Sequence, residues 1–229
     1  MVLPLFFAAC ESYEVGDSVS YDSATLQNVT RITDDGIYKD WAKISPDGNK
    51  ILYCESESTL RWSDISSEWV TSWKIVLLKD VAKPAKTPLI NDISWAPAWV
   101  EDSNTFIYVV QEGGNWKLVR SNISGGVKKY ITRNSIGKWD TIPNIRNHVI
   151  LCSTLINNKR QIVSLNDDGT EVTVLGEGSW PFWHPGRGKY VFIRDGNVFE
   201  MDLKTNQATQ LFSKNDYECR VPSCSPDGK

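Results

Sequence analysis

The stretch KISPDGNKILY, Lys43–Tyr53, holds a turn that the chain writes a second time in SCSPDGK, Ser223–Lys229. In Ser45-Pro46-Asp47-Gly48, Pro46 sets φ near the value that the second position of a type I turn needs, Asp47 suits the third, and Gly48 can take the positive φ that follows. A type I turn followed by a left-handed glycine makes a hairpin with a one-residue bulge. The apolar run Ile51-Leu52-Tyr53 then reads as the returning strand. Aligned on the proline, the same unit recurs at Pro97 in SWAPAWVEDSNTFIYV, Pro143 in DTIPNIRNHVILC, Pro185 in FWHPGRGKYVFI and Pro226, with spacings of 51, 46, 42 and 41 residues. A period of about 40–45 residues, each unit carrying four short strands, is that of a propeller blade. The expected fold is therefore all-β: a β-propeller of four four-stranded blades plus the start of a fifth.

The turn is relaxed from repeat to repeat while the strand persists. Gly186-Arg187-Gly188 replaces Asp-Gly before Tyr190-Val191-Phe192, and Glu101-Asp102-Ser103-Asn104 reads as a lengthened turn before Phe106-Ile107-Tyr108. The second C-terminal copy offers Pro226-Asp227-Gly228. Downstream, the second blade predicts strands at Phe106–Val110, Trp116–Ser121 and Val127–Thr132, the third at Val149–Ser153, Arg160–Leu165 and Thr170–Leu175, and the fourth at Asn197–Asp202 and Gln207–Phe212, with Gly- and Asn-rich turns between them. In the first blade ESTLRWSDISSEWVTSW, Glu57–Trp73, reads as an insertion before a strand at Lys74–Leu78. Its Trp62, Trp69 and Trp73 are the candidates for an exposed binding surface, because inserted loops project from one face of a repeat array. Trp95 and Trp183 sit two residues before their prolines, and Trp41 and Trp180 five before theirs. Packing between blades is the simpler use of these four, a sugar- or peptide-binding platform the other.

The 229 residues suffice for a sizeable core, and 25 basic against 28 acidic residues, interspersed, leave a net charge of −3 and no basic groove for a nucleic acid. Ten Trp, eight Tyr and seven Phe among many β-branched residues favour strands. Residues 1–10, MVLPLFFAAC, are apolar up to Cys10 and too short to span a bilayer, which needs roughly 20 apolar residues. They read as the end of a bacterial lipoprotein signal, with Ala8 and Ala9 admitting the peptidase and Cys10 accepting lipid. Residues 11–23 are then a tether and 24–229 the propeller. Setting Cys10 aside leaves Cys54, Cys152, Cys219 and Cys224 to pair or to stay buried.

These residues resemble the TolB-type (WD40-like) propeller repeat, roughly P-x-W-S-P-D-G-K-x-I-x-F followed by I-Y-x-x-x-x-x-G-G-x-x-x-x-L-T. The matches are Pro181–Phe192 (PFWHPGRGKYVF), Pro222–Lys229 (PSCSPDGK) and Trp116–Thr132 (WKLVRSNISGGVKKYIT). The resemblance implies a bacterial envelope protein, lipid-anchored and facing the periplasm or the exterior. The α/β domain that precedes the propeller in TolB has no counterpart here. Such rings usually close with six or so blades, so Lys229 reads as a truncation point, and Ala24–Thr33 resembles a strand that completes the final blade.

Residues able to do chemistry are few. His148 and His184 are the only histidines and are not at metal-ligand spacing, Cys219-x4-Cys224 lacks a partner pair, and no Gly-x-Ser-x-Gly elbow is present. VGDSVSYD, Val15–Asp22, has the Gly-Asp-Ser of some esterases but lies in the tether. Asp47 and Asp227 suit turn hydrogen bonds better than calcium. No catalytic residue, metal or cofactor is expected. The expected function is a monomeric, non-catalytic propeller that binds an envelope protein or a glycan on one face, touching the membrane through the lipid alone. The alternatives are the propeller portion of a secreted prolyl-oligopeptidase-like peptidase and a lyase working at the ring's centre.

Overall fold

The computed structural model describes residues 32, 37–62, 67–78, 85–91, 94–125, 128–132, 141–185, 188–212 and 222–224, with backbone alone for 57–62, 67–73 and 141–142. Among these residues there is no helix. Sixteen strands form four separate antiparallel sheets, each a meander whose spatial order follows the chain. Blade one holds β1 (Lys39–Ile44), β2 (Ile51–Trp62), β3 (Ser67–Leu78) and β4 (Lys86–Ile90). Blade two holds β5 (Ser94–Trp99), β6 (Thr105–Glu112), β7 (Asn115–Asn122) and β8 (Lys129–Tyr130). Blade three holds β9 (Thr141–Arg146), β10 (Val149–Ile156), β11 (Lys159–Asn166) and β12 (Thr173–Glu177). Blade four holds β13 (Ser179–Trp183), β14 (Lys189–Arg194), β15 (Asn197–Asp202) and β16 (Gln207–Phe212). The first strand of each blade packs beside that of the next, β1 on β5, β5 on β9 and β9 on β13, so these four line a common axis.

The cores lie between blades and come mainly from the second and third strands. Leu52, Cys54, Ile75 and Leu77 of blade one meet Phe106, Tyr108 and Val110 of blade two. The alternate residues of β6, Ile107 and Val109, point the other way onto Ile150 and Cys152 of blade three. Leu151 and Ile162 of blade three then receive Tyr190 and Phe192 of blade four. A second strand sandwiched on both faces must be apolar without interruption, which is why β6 reads FIYVV and β14 YVFI. Each large side chain so buried contributes roughly 1.5–3 kcal/mol. Cys54 and Cys152 are buried on different inter-blade faces, and neither they nor Cys224 form a disulfide among the described residues. Burial pushes the Cys54 thiol up to about 12, so it behaves as a small hydrophobe. Cys219 lies outside the described residues.

The first turn is built as expected. Gly48 takes φ +76°, its N–H donates to Ser45 O at 2.9 Å, and Ser45 N–H donates to Lys50 O at 2.8 Å. Asp47 Oδ1 accepts the Asn49 N–H at 3.0 Å, and its carboxyl is held at about 2 by Lys50 first, then by Ser45 and Asn49.

The alignment of the other repeats needs correction. Val100 N–H donates to Thr105 O at 2.9 Å and His184 N–H to Lys189 O at 3.1 Å, matching Ser45 to Lys50. Glu101 and Pro185 thus hold the place of Pro46, and the Glu101–Asn104 turn is no longer than the first. Blade three turns instead on Asn147 and His148, both at positive φ (49° and 64°), as a two-residue hairpin requires. Pro97 and Pro143 are not turn residues. They lie inside β5 and β9, four positions before the turn, where Pro181 lies in β13. Proline suits both places because neither asks its nitrogen to donate to a ladder, so spacing alone confuses them. The fragments PFWHP and PSCSP, which carry both prolines four residues apart, held the signal.

The insertion is corrected too. Glu57–Trp73 does not interrupt the strands; β2 and β3 pair without a slip from Ile51↔Leu78 to Trp62↔Ser67. Both strands are 12 residues long, against 8 for their equivalents in blades two and three. The outer strand predicted at Val127–Thr132 shrinks to Lys129–Tyr130, whereas β15 and β16 match their predicted bounds.

Candidate functional site: the axial cleft

Each innermost strand is bulged. The register slips between Asp40 and Lys43 in β1, between Trp95 and Ala98 in β5, and between Ser179 and Phe182 in β13. At equivalent bulge positions Trp41, Ala96 and Trp180 adopt φ of 57°, 50° and 57°. Non-glycine residues rarely occupy this region, so three repeats sharing it mark a designed feature. The bulge turns the residues that follow it toward the axis.

What results is a narrow cleft at the axis, partly open to solvent. Its walls are Trp41 and Lys43 from blade one, Ala96 and Pro97 from blade two, Pro143 and Asn144 from blade three, Trp180 to Phe182 from blade four, and Pro222. The four repeated prolines thus share one wall-forming role. Trp41 and Trp180 stack across the axis with centroids 5.6 Å apart and planes 19° apart, while Trp95 meets Trp41 edge-on at 5.5 Å. The pairing of Trp41 with Trp180 noted in the sequence is therefore axial, whereas Trp183 packs on Tyr190 beside blade three.

Lys43 is the one cation among the cleft residues. Its Nζ stands 5.7 Å from the Phe182 ring centroid, and no hydrogen bond or ion pair among the described residues engages it. Burial lowers its pKa from the ordinary lysine value, the Asp40 carboxylate opposing. Asp40 itself accepts the Trp41 N–H at 2.6 Å, and the Lys43 carbonyl accepts the Trp99 indole N–H at 2.8 Å, so the strand that carries the ammonium is fixed at both ends. A part-buried cation among proline and aromatic walls, with no direct hydrogen-bond partner among the described residues, suits an anionic group on an otherwise apolar ligand. Nothing in the sequence singled out Lys43, because its neighbours in the cleft come from four other repeats.

The other sequence candidates lie elsewhere. His148 Nδ1 is 3.0 Å from Asp167 Oδ2, which also accepts from Arg120 at 2.9 Å, joining two turns of blade three to β7 of blade two. His184 Nε2 is 3.9 Å from Glu200 Oε2 in blade four, where Lys189 Nζ is 2.6 Å from Glu200 Oε1. Among the described residues no group of three or more His, Cys, Asp or Glu could hold a metal ion. Trp62, Trp69 and Trp73 lie in the extended β2–β3 hairpin, away from the cleft. Cys10, Gly186, Pro226, Asp227 and Gly228, like Ala24 and the Gly-Asp-Ser of the tether, lie outside the described residues.

No protein-family profile matches the sequence, and no curated protein matches it either. Solved structures do. A TolB structure from Agrobacterium tumefaciens superposes with a TM-score of 0.60 at 18% identity over 86% of this chain and 89% of that one. TolB from Acinetobacter baumannii gives 0.60 at 16% identity over 84% of this chain and 58% of that one. A prolyl endopeptidase gives 0.53 at 12% identity, over 80% of this chain and 30% of the enzyme. The chain has a TolB-like β-propeller fold.

Proposed function

We propose that this chain is a non-catalytic binding propeller of the bacterial cell envelope, and that it recognises a protein partner by taking an extended, carboxylate-bearing segment into the axial cleft. Lys43 is the observation that carries this reading. A part-buried ammonium without a direct hydrogen-bond partner among the described residues costs stability, and binding an anion offsets that cost. The proline walls lack N–H donors and offer apolar surface, which suits a peptide better than a hydroxyl-rich sugar. Trp41 and Trp180 already use one ring face on each other, which weakens the platform a glycan would need. The envelope address rests on the Cys10 motif together with the TolB-like fold.

The test is a panel of proline-containing hexapeptides bearing Asp or Glu, each matched by its Asn or Gln counterpart, titrated by calorimetry against the wild type and Lys43→Met. The acidic members should bind, and the amide counterparts and the variant should bind at least tenfold more weakly. Binding that ignores both changes overturns the carboxylate assignment. Growth with a radiolabelled fatty acid tests the address, since a full-length protein that takes up no label at Cys10 is not anchored. The likeness to a prolyl endopeptidase propeller favours a second reading, the propeller portion of a secreted peptidase, which hydrolysis of peptides by the full-length protein would support.

A further inference from the structure

We propose that Asn144 is the second recognition group of the axial cleft, and that together with Lys43 it makes the cleft a donor-only receptor, which takes a carboxylate and turns away the matching amide. The inference rests on the binding propeller proposed above and names what reads the second oxygen of the ligand's carboxylate.

Register brings the two residues to one level. In each blade the bulge ends where the innermost strand rejoins the ladder, at Lys43↔Leu52, Ala98↔Ile107, Asn144↔Leu151 and Phe182↔Val191. These four residues are therefore equivalent, one from each blade, and stand at the same height around the axis. Three of them, Lys43, Asn144 and Phe182, line the cleft. They also converge. Lys43 Nζ stands 5.7 Å from the centroid of the Phe182 ring, and Asn144 Oδ1 accepts the N–H of Trp183, the next residue, at 3.0 Å.

That hydrogen bond decides which way the amide faces. A backbone N–H only donates, so the atom that meets it is the oxygen, and the NH2 group occupies the other branch. No hydrogen bond among the described residues engages Asn144 Nδ2. The part-buried Asn144 thus has two N–H bonds left for a ligand. The remaining polar side chains of the cleft are the indoles of Trp41 and Trp180, which also only donate. No carboxylate is among the described residues that line it. What these side chains offer a ligand is therefore donors alone, because their one acceptor, Asn144 Oδ1, is already taken.

A carboxylate suits such a site because it only accepts and has two oxygens, one for the ammonium and one for the amide. A carboxamide of the same shape keeps one oxygen but turns its NH2 group on the other donor, which leaves N–H groups facing each other. The proline walls at Pro97, Pro143 and Pro181 bring no polar side chain that could compensate.

The experiment uses the full chain and two probes: a proline-containing hexapeptide, N-acetylated and C-amidated so that one Glu is its only carboxylate, and the same peptide with Gln in place of Glu. Asn144→Asp keeps the oxygen that accepts from Trp183 and exchanges the two donors for an acceptor. By calorimetry this variant should bind the Glu peptide at least tenfold more weakly than the wild type, and its preference for Glu over Gln should shrink by about the same factor. NMR of the wild type reads the contact without any substitution, since the side-chain NH2 protons of Asn144 should shift downfield with the Glu peptide and stay in place with the Gln one. An Asn144→Asp protein that keeps both affinity and preference overturns the role of Asn144, as do NH2 protons that do not move while the Glu peptide saturates the protein. If Lys43→Met still weakens binding in that case, the carboxylate reading of the cleft stands without Asn144. A wild type that binds neither peptide, or binds both alike, overturns the two together.

Discussion

Lys43→Met keeps the aliphatic stem and removes the charge from the axis. What is lost is the attraction of the ammonium to the Phe182 face, 5.7 Å from its centroid, worth about 0.5–1 kcal/mol. What is relieved is the desolvation of an ion with no hydrogen-bond partner in the cleft, several kcal/mol in a protein interior and less in a cleft open to water. The net expectation is a gain of about 1 kcal/mol at pH 7, which in a domain of this size is about 2–4 °C in Tm. The pH dependence gives a second readout. Because burial lowers the folded-state pKa of Lys43, there is a window below its unfolded value in which the unfolded chain holds a proton that the folded one has shed. Stability of the wild type rises with pH across that window. The substituted methionine cannot titrate, so the advantage of the variant shrinks as the pH climbs from neutral toward the ordinary lysine range. Urea denaturation of both proteins at pH 7 and pH 9.5 measures the two effects. A variant less stable than the wild type by about 1 kcal/mol, or a gap that ignores pH, would refute the claim that Lys43 is held at a cost.

Lys86→Met leaves Glu55, 3% exposed, without the ammonium that stands 2.5 Å from its Oε1, and should lower unfolding free energy by about 3 kcal/mol; adding Glu55→Gln should recover part of it, as a double-mutant cycle in urea would reveal. Gly169→Ala should cost about 3 kcal/mol, since a Cβ there would stand 2.2 Å from the Ile131 carbonyl oxygen at a φ of +91°; a melting curve within a degree of the wild type would contradict it. The Asp167 carboxylate beside His148 raises the pKa of the ring, so the pair's stabilisation is full below the unfolded histidine pKa and fades as the pH rises through the folded one. An NMR titration of His148 should give a midpoint above 6.5, and Asp167→Asn should bring it down.

What could be read without coordinates was local. Ser45-Pro46-Asp47-Gly48 encodes its turn in the φ of two residues and one carboxylate, and the Asp195-Gly196 turn brackets β15 closely enough to place its ends. Where strands had to be aligned between repeats, spacing misled, because proline is tolerated both in the turn and in the bulge four residues earlier. Glu57–Trp73 reads as an insertion because its period-two alternation sets Trp and Leu against charge only when two strands are paired in register. That register joins residues up to 27 apart, Ile51 with Leu78.

The sequence by itself determined the strand-and-turn unit, its recurrence and the all-β class, since each depends on interactions within a single repeat. Only the tertiary structure decided that Trp41 meets Trp180, that four prolines form one wall and that Lys43 stands part-buried among them. Those neighbours are set by the angle at which one sheet packs on the next, and that angle is fixed by side chains such as Phe106, Tyr108 and Ile150 filling the spaces between blades. A contact made across an axis by residues from five repeats leaves no pattern along the chain.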